Sequence, residues 1–193
     1  MKKVLLLLPN GFEVLEASAF IDVIGWNHLE GDGSTELYTC GLHNEVVSSF
    51  NQRFIVDILI DEVDVESYYA LAIPGGFEEY SYYIDAFDDR VLNLISNFNR
   101  KNKVIASICV AALPLGKSGV LKGKDGTTYN SPKRRETLQS YGVILVNKPI
   151  VKSGNIITSH GPATAIDVAF LLLESLTSKS NADAVAQLMG FKR

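Results

Sequence analysis

Cys109 is the residue of this chain best suited to covalent chemistry. It ends the apolar, strand-like run Val104-Ile105-Ala106-Ser107-Ile108 and is followed by Val110-Ala111-Ala112, residues compatible with a helix. A strand that turns directly into a helix lifts the side chain at its apex out of the sheet, forming a nucleophile elbow. The first N–H groups of that helix favour a thiolate at the apex and stabilise an oxyanion beside it. A plainer role also fits Cys109, that of a small apolar side chain buried at a strand end. Three further segments carry groups that would serve such a nucleophile: Asn10 to Glu16, the glycine pair in Pro74-Gly75-Gly76, and Ser159-His160-Gly161. Glycines tolerate unusual backbone angles and leave room for backbone N–H groups to point at a ligand.

The elements that must position these residues alternate between short apolar runs and helical patterns, the signature of βαβ units on a parallel sheet. Val4–Leu8 reads as a buried strand, and Glu16–Leu29 as a helix with Ala19, Phe20, Val23 and Ile24 on its apolar side, ended by Gly31 and Gly33. Glu36–Thr39 is the next expected strand, and Val46–Val47 with Phe54–Ile60 suggest a hairpin or short strands. Ala70–Ile73 is an expected buried strand, Asp88–Asn99 a helix, and Val104–Ile108 the strand that feeds Cys109. Asn155–Thr158 reads as a late strand running into an apolar helix over Ala163–Leu176, with one more short helix over Asn181–Met189. In such sheets ligands sit beyond the carboxyl ends of the strands. The four segments named above all follow strands at that end, so one cleft is expected to collect them.

Composition narrows the function classes. With 193 residues, 47% of them hydrophobic and 21% charged, the chain is expected to form a single domain over 1–193. A net charge of −4 provides no basic footprint for nucleic acid or an anionic membrane. The one basic cluster, Lys133-Arg134-Arg135, reads as a solvated helix face. Two cysteines, Cys40 and Cys109, are too few for a disulfide framework and suit a reducing, cytoplasmic setting. Val4–Leu8 reads as a first strand rather than a targeting segment, and no run reaches membrane-spanning length. Neither a metal nor a cofactor is expected.

Taken in order and spacing, the motifs resemble the ThiJ/PfpI superfamily over nearly the whole chain. The resemblance is carried by Pro9-Asn10-Gly11-Phe12-Glu13-Val14-Leu15-Glu16, Ile21-Asp22-Val23, Ala72-Ile73-Pro74-Gly75-Gly76, Ala106-Ser107-Ile108-Cys109 and Ile157-Thr158-Ser159-His160-Gly161-Pro162-Ala163-Thr164-Ala165. It implies an α/β fold, a three-layer flavodoxin-like sandwich with a mostly parallel sheet, related to that of class I glutamine amidotransferases. It also implies a homodimer. Cys109 matches the family's reactive cysteine, and Glu16 matches the acidic residue that hydrogen-bonds it. A carboxyl kept protonated by burial donates to a thiolate; otherwise Glu16 is a solvated carboxylate at a helix start. Gly76 and Val110 match the oxyanion-hole positions, with Gly75, Tyr129 and Asn130 in the pocket.

Two departures bear on activity. In the branch known as peptidases a histidine follows the cysteine, whereas Val110 stands there in this chain. In other members a histidine follows the elbow helix, at a position that here falls on Tyr129 or Asn130. Neither is a general base at neutral pH. His28 and His43 read as surface residues, which leaves His160, either as a catalytic group beside Cys109 and Glu16 or as a hydrogen-bonded loop histidine. Three functions follow: glyoxalase- or deglycase-like processing of a small reactive carbonyl or glycated substrate, a redox-responsive or chaperone-like stress protein, and, disfavoured by Val110, an intracellular peptidase.

Overall fold

In the computed structural model, which describes residues 1–193, β1 (Lys2–Leu7) leads through α1 (Val14–Glu30) to β2 (Thr35–Gly41). A hairpin of β3 (Glu45–Val47) and β4 (Arg53–Ile55) and the short β5 (Ile58–Leu59) follow. Next come β6 (Ala70–Ile73), α2 (Tyr82–Ala86), α3 (Asp89–Arg100), β7 (Val104–Ser107) and α4 (Ala112–Lys117). The remainder is β8 (Asp125–Gly126), α5 (Pro132–Ser140), β9 (Ile144–Leu145), β10 (Ile150–Ser153), β11 (Ile156–Ser159), α6 (Ala165–Leu176) and α7 (Lys179–Leu188).

Seven strands form the main sheet in the order β10-β11-β7-β6-β1-β2-β5. Every pairing in it is parallel except that of edge strand β10 with β11. Helices α1, α6 and α7 pack together on one side, and α3, α4 and α5 on the other. Covered on both faces, β6 and β11 are buried at all four of their positions, which is why they read as unbroken apolar runs rather than alternating ones. Helix α3 needs only one apolar stripe. Asp88 caps it by accepting from the Arg90 N–H at 2.9 Å, and Val91, Leu94, Ile95 and Phe98, at helical spacing, face the core.

The expected three-layer sandwich is thus present, with local differences. Phe54–Ile60 does not continue as one strand. Val46 pairs with Phe54 in the hairpin, but Asp57 then takes the Thr39 N–H and hydroxyl on its carboxylate, both at 2.7 Å, and draws the chain back to the edge of the main sheet. Strands β8 and β9, two residues each, are too short to leave a periodic trace in sequence.

Topology decides where a site can form. From β1 the chain moves outward through α1 to β2, whereas β6, β7 and β11 are added on the other side of β1. The crevice at the carboxyl ends of β1 and β6 is therefore the switch point of the sheet, where doubly wound folds hold their ligands. Register aligns the ends: Leu6 lies opposite Ala72, and Ile73 opposite Ser107.

Candidate active site

Cys109 stands two residues beyond the end of β7, directly after Ile108, and adopts φ = +60°. A non-glycine residue in the left-handed region is strained, and such strain persists only where surrounding structure imposes it. Here the buried Thr128 hydroxyl donates to the Cys109 carbonyl at 3.0 Å, and the Ile108 N–H donates to the Ile73 carbonyl at 3.1 Å. The turn is the expected elbow. Helix α4, however, has only six residues, and the N–H that hydrogen-bonds the sulfur is that of Val110.

Glu16 lies in the first turn of α1 and is fully buried. Its Oε2 accepts the Gly75 N–H at 2.6 Å, its carboxyl is hydrogen-bonded to the Cys109 thiol, and its Oε1 has no partner. Burial, reinforced by the charge of Glu13 and opposed by the Gly75 N–H, pushes the Glu16 carboxyl up to about 8. Burial also pushes the Cys109 thiol up, as does Glu16 when ionised, while the Val110 N–H pulls it down. The two groups titrate as a pair. At neutral pH Glu16 is protonated, so the repulsion that would keep the proton on sulfur is absent and its O–H can donate to a thiolate. The pair, rather than the helix dipole, is what can activate this cysteine.

Gly75 lies between the two groups. A Cβ there would sit 2.8 Å from the Cys109 Cβ and 3.0 Å from Glu16 Oε2, so no other residue lets the carboxyl and sulfur approach. At Gly76 a Cβ would meet the Gly11 carbonyl at 2.1 Å. Phe12 and Gly76 form an isolated antiparallel bridge whose bonds run from Glu13 N–H to the Gly75 carbonyl and from Phe77 N–H to the Gly11 carbonyl. The Gly76 N–H takes part in neither.

A cavity of about 370 Å³ opens over Cys109; Gly76, Val110, Tyr129, Glu13 and Arg134 are among its walls. Cys109, Glu16, Gly75, Gly76, Val110 and Tyr129 are therefore brought together. Two expected residues are not. Asn130 is exposed and absent from the cavity wall. His160 is absent from it too, although neighbouring Gly161 approaches so closely that a Cβ on it would lie 3.9 Å from the sulfur. The His160 N–H bonds the Pro149 carbonyl at 2.9 Å, and its buried Nε2 has no partner. Burial and the nearby Arg135 of α5 hold its imidazole below the ordinary histidine value. His28 Nδ1 lies 3.2 Å from the Thr35 carbonyl, and His43 lies 3.8 Å from Asp85, at a separate cavity of about 420 Å³. The cysteine cavity is without an imidazole. What sequence reasoning passed over is Glu13, which reaches the wall because α1 begins immediately after it, three residues ahead of Glu16.

The chain is similar to known proteins over most of its length. A family model described as the DJ-1/PfpI family matches residues 2–175. Protein DJ-1 homolog B of Arabidopsis thaliana is 29% identical over 173 residues, covering 89% of this chain, and the chain spans 37% of that relative's length. Deglycase PfpI of Pyrococcus furiosus is 27% identical over 161 residues, 83% of this chain and 90% of the relative. The crystal structure of Drosophila melanogaster DJ-1beta superposes with a TM-score of 0.86 at 27% identity, covering 100% of this chain and 99% of that one.

Proposed function

Since this chain belongs to the DJ-1/PfpI family, we propose that it processes reactive carbonyls, as a glyoxalase or deglycase does, with Cys109 as nucleophile and Glu16 as its proton partner. The observation that carries this reading is the buried Glu16 carboxyl, bonded to both the Gly75 N–H and the strained Cys109 at the floor of an open cavity. In the proposed reaction the thiolate attacks the aldehyde carbon of a 2-oxoaldehyde. The developing oxyanion is received by the N–H groups of Gly76 and Val110. Rearrangement of the hemithioacetal and hydrolysis then release a 2-hydroxy acid. Glycated side chains, as carbonyl adducts, would enter by the same attack. The relative named a deglycase supports that substrate class.

The reading includes a single domain over 1–193, a homodimer, and a cytoplasmic setting; no helix is long and apolar enough to cross a membrane. A peptidase is disfavoured because Val110 follows the cysteine and no imidazole lines the cavity. A redox-responsive role is favoured by one detail, the Glu16 carboxyl whose Oε1 has no partner and which, protonated, can donate to an oxygen of an oxidised Cys109. The separating experiment is lactate formation from methylglyoxal by the purified, reduced protein. Turnover in the parent that Cys109→Ala abolishes supports the enzyme. No turnover, together with selective oxidation of Cys109, favours the redox role.

A further inference from the structure

Rearrangement of a bound hemithioacetal requires a group that removes a proton from one carbon and returns it to the next; of the two candidates, His160 does not line the cavity, and Glu16 is fully buried behind Cys109 with its carboxyl pushed up to about 8. The cavity wall contains four ionisable side chains besides the cysteine and the Tyr129 phenol: Glu13, Glu78, Glu79 and Arg134. Arg134 cannot act as a base. It bonds Glu78 at 2.8 Å and lies over the Tyr83 ring, 4.9 Å from its centroid. Glu78 is committed to that ion pair and to Lys133, which hold its carboxyl below the ordinary range, and Glu79 is exposed on the rim.

Glu13 differs on each count. It is half-buried and pairs with no cation, and although it occupies the N-cap position of α1, its carboxylate caps no amide. Its backbone is held on the site by the N–H bond to the Gly75 carbonyl at 2.8 Å, the same residue whose own N–H holds Glu16. We infer that Glu13 is the catalytic base that moves the proton between the two substrate carbons. This assignment rests on the carbonyl-processing reading above. Burial raises the Glu13 carboxyl above its ordinary value, which brings a carboxylate closer to the range where general bases work best.

The step balances without an external oxidant. Sulfur bonds to the aldehyde carbon and the carbonyl oxygen takes a proton, giving the hemithioacetal. Glu13 removes the hydrogen from that carbon, the C–H electron pair becomes a carbon–carbon double bond, and the neighbouring ketone electrons move onto its oxygen. Glu13 returns its proton to the second carbon, while the hydroxyl proton on the first carbon passes to the second oxygen. The first carbon is now a thioester, oxidised by the pair that reduced the second. Water cleaves the sulfur–carbon bond, and methylglyoxal plus water has become lactate.

Glu13→Gln, Glu13→Asp and the parent are compared for lactate formation from methylglyoxal, for its pH profile, and for alkylation of Cys109 by iodoacetamide. Glu13→Gln is expected to lower turnover by about 10²- to 10⁴-fold while alkylation is no slower, because the charge that opposes the thiolate is gone. Glu13→Asp, which keeps a carboxylate, is expected to recover part of the rate with the rising limb of the pH profile displaced, a readout that a purely structural role would leave unmoved. The charged or titratable groups that share the cavity wall with Glu13, or lie directly behind it, are Cys109, Tyr129, Glu78, Glu79, Arg134 and Glu16. Parent-level turnover in Glu13→Gln overturns this assignment alone. A parent protein without turnover overturns the carbonyl-processing reading, and this one with it.

Discussion

At the scale of single residues, the chemistry rests on where one proton resides. Glu16 is pushed up to about 8 by burial, so over the neutral range it is a hydrogen-bond donor to Cys109 rather than a repelling charge. Glu16→Gln keeps the shape but replaces a carboxylic O–H by a weaker amide N–H donor. The alkylation midpoint of Cys109 is therefore expected to move to higher pH in this variant, and a move to lower pH would identify Glu16 as an ionised neighbour that merely opposes the thiolate. Cys40 is the internal control: it is fully buried in β2, pushed up to about 12 chiefly by burial, and expected to react far more slowly. The same shift links to stability. A carboxyl whose folded pKa is raised contributes stability that is lost as pH climbs from about 4.3, its unfolded value, through about 8. Urea titrations across that window are expected to show a shallower decline for Glu16→Gln than for the parent.

At the scale of elements, the elbow is imposed on Cys109 by its neighbours. The left-handed φ of +60° has no glycine to relieve it, and the Thr128 hydroxyl, reaching across from the loop after β8, supplies the buried hydrogen bond to the Cys109 carbonyl. Thr128→Val preserves volume and strands that carbonyl. A cost of about 1–3 kcal/mol is expected for an unsatisfied buried acceptor, measured by urea unfolding, and the rate advantage of Cys109 over Cys40 in alkylation is expected to shrink as the turn relaxes. An unchanged alkylation ratio with an unchanged unfolding midpoint would show that strand β7 and the following helix alone hold the turn.

At the scale of the whole molecule, the active residues arrive from the carboxyl ends of β1, β6 and β7, joined by Tyr129 from the segment after β8, over a sheet whose core is continuous from β11 to β2. One buried apolar cluster joins Leu173 of α6, Phe98 of α3 and Val23 of α1. Such a core is expected to melt as a unit. Far-UV circular dichroism and the fluorescence of Trp26, the sole tryptophan, are expected to report coincident transitions, and the proposed homodimer requires the midpoint to rise with protein concentration. Separate transitions would argue for two cooperative units, and a concentration-independent midpoint would argue against the dimer.

The sequence by itself determined the α/β class, most of the central strands and helices, and the family. Continuous apolar runs such as Ala70–Ile73 are the direct imprint of a sheet covered on both faces, and glycine pairs such as Gly75-Gly76 mark a close backbone approach wherever it occurs. It also brought Cys109 and Glu16 forward as partners through the resemblance. Tertiary structure decided the rest, because the direction of a side chain depends on contacts far away in the chain. His160 and Gly161 are adjacent in sequence, yet Gly161 comes close to the sulfur while the His160 imidazole, beside Arg135, stays off the cavity wall. Glu13 and Glu16 lie one helical turn apart. Only the bonds with Gly75, from the neighbouring strand end, bury one against Cys109 and leave the other half-open to the cavity.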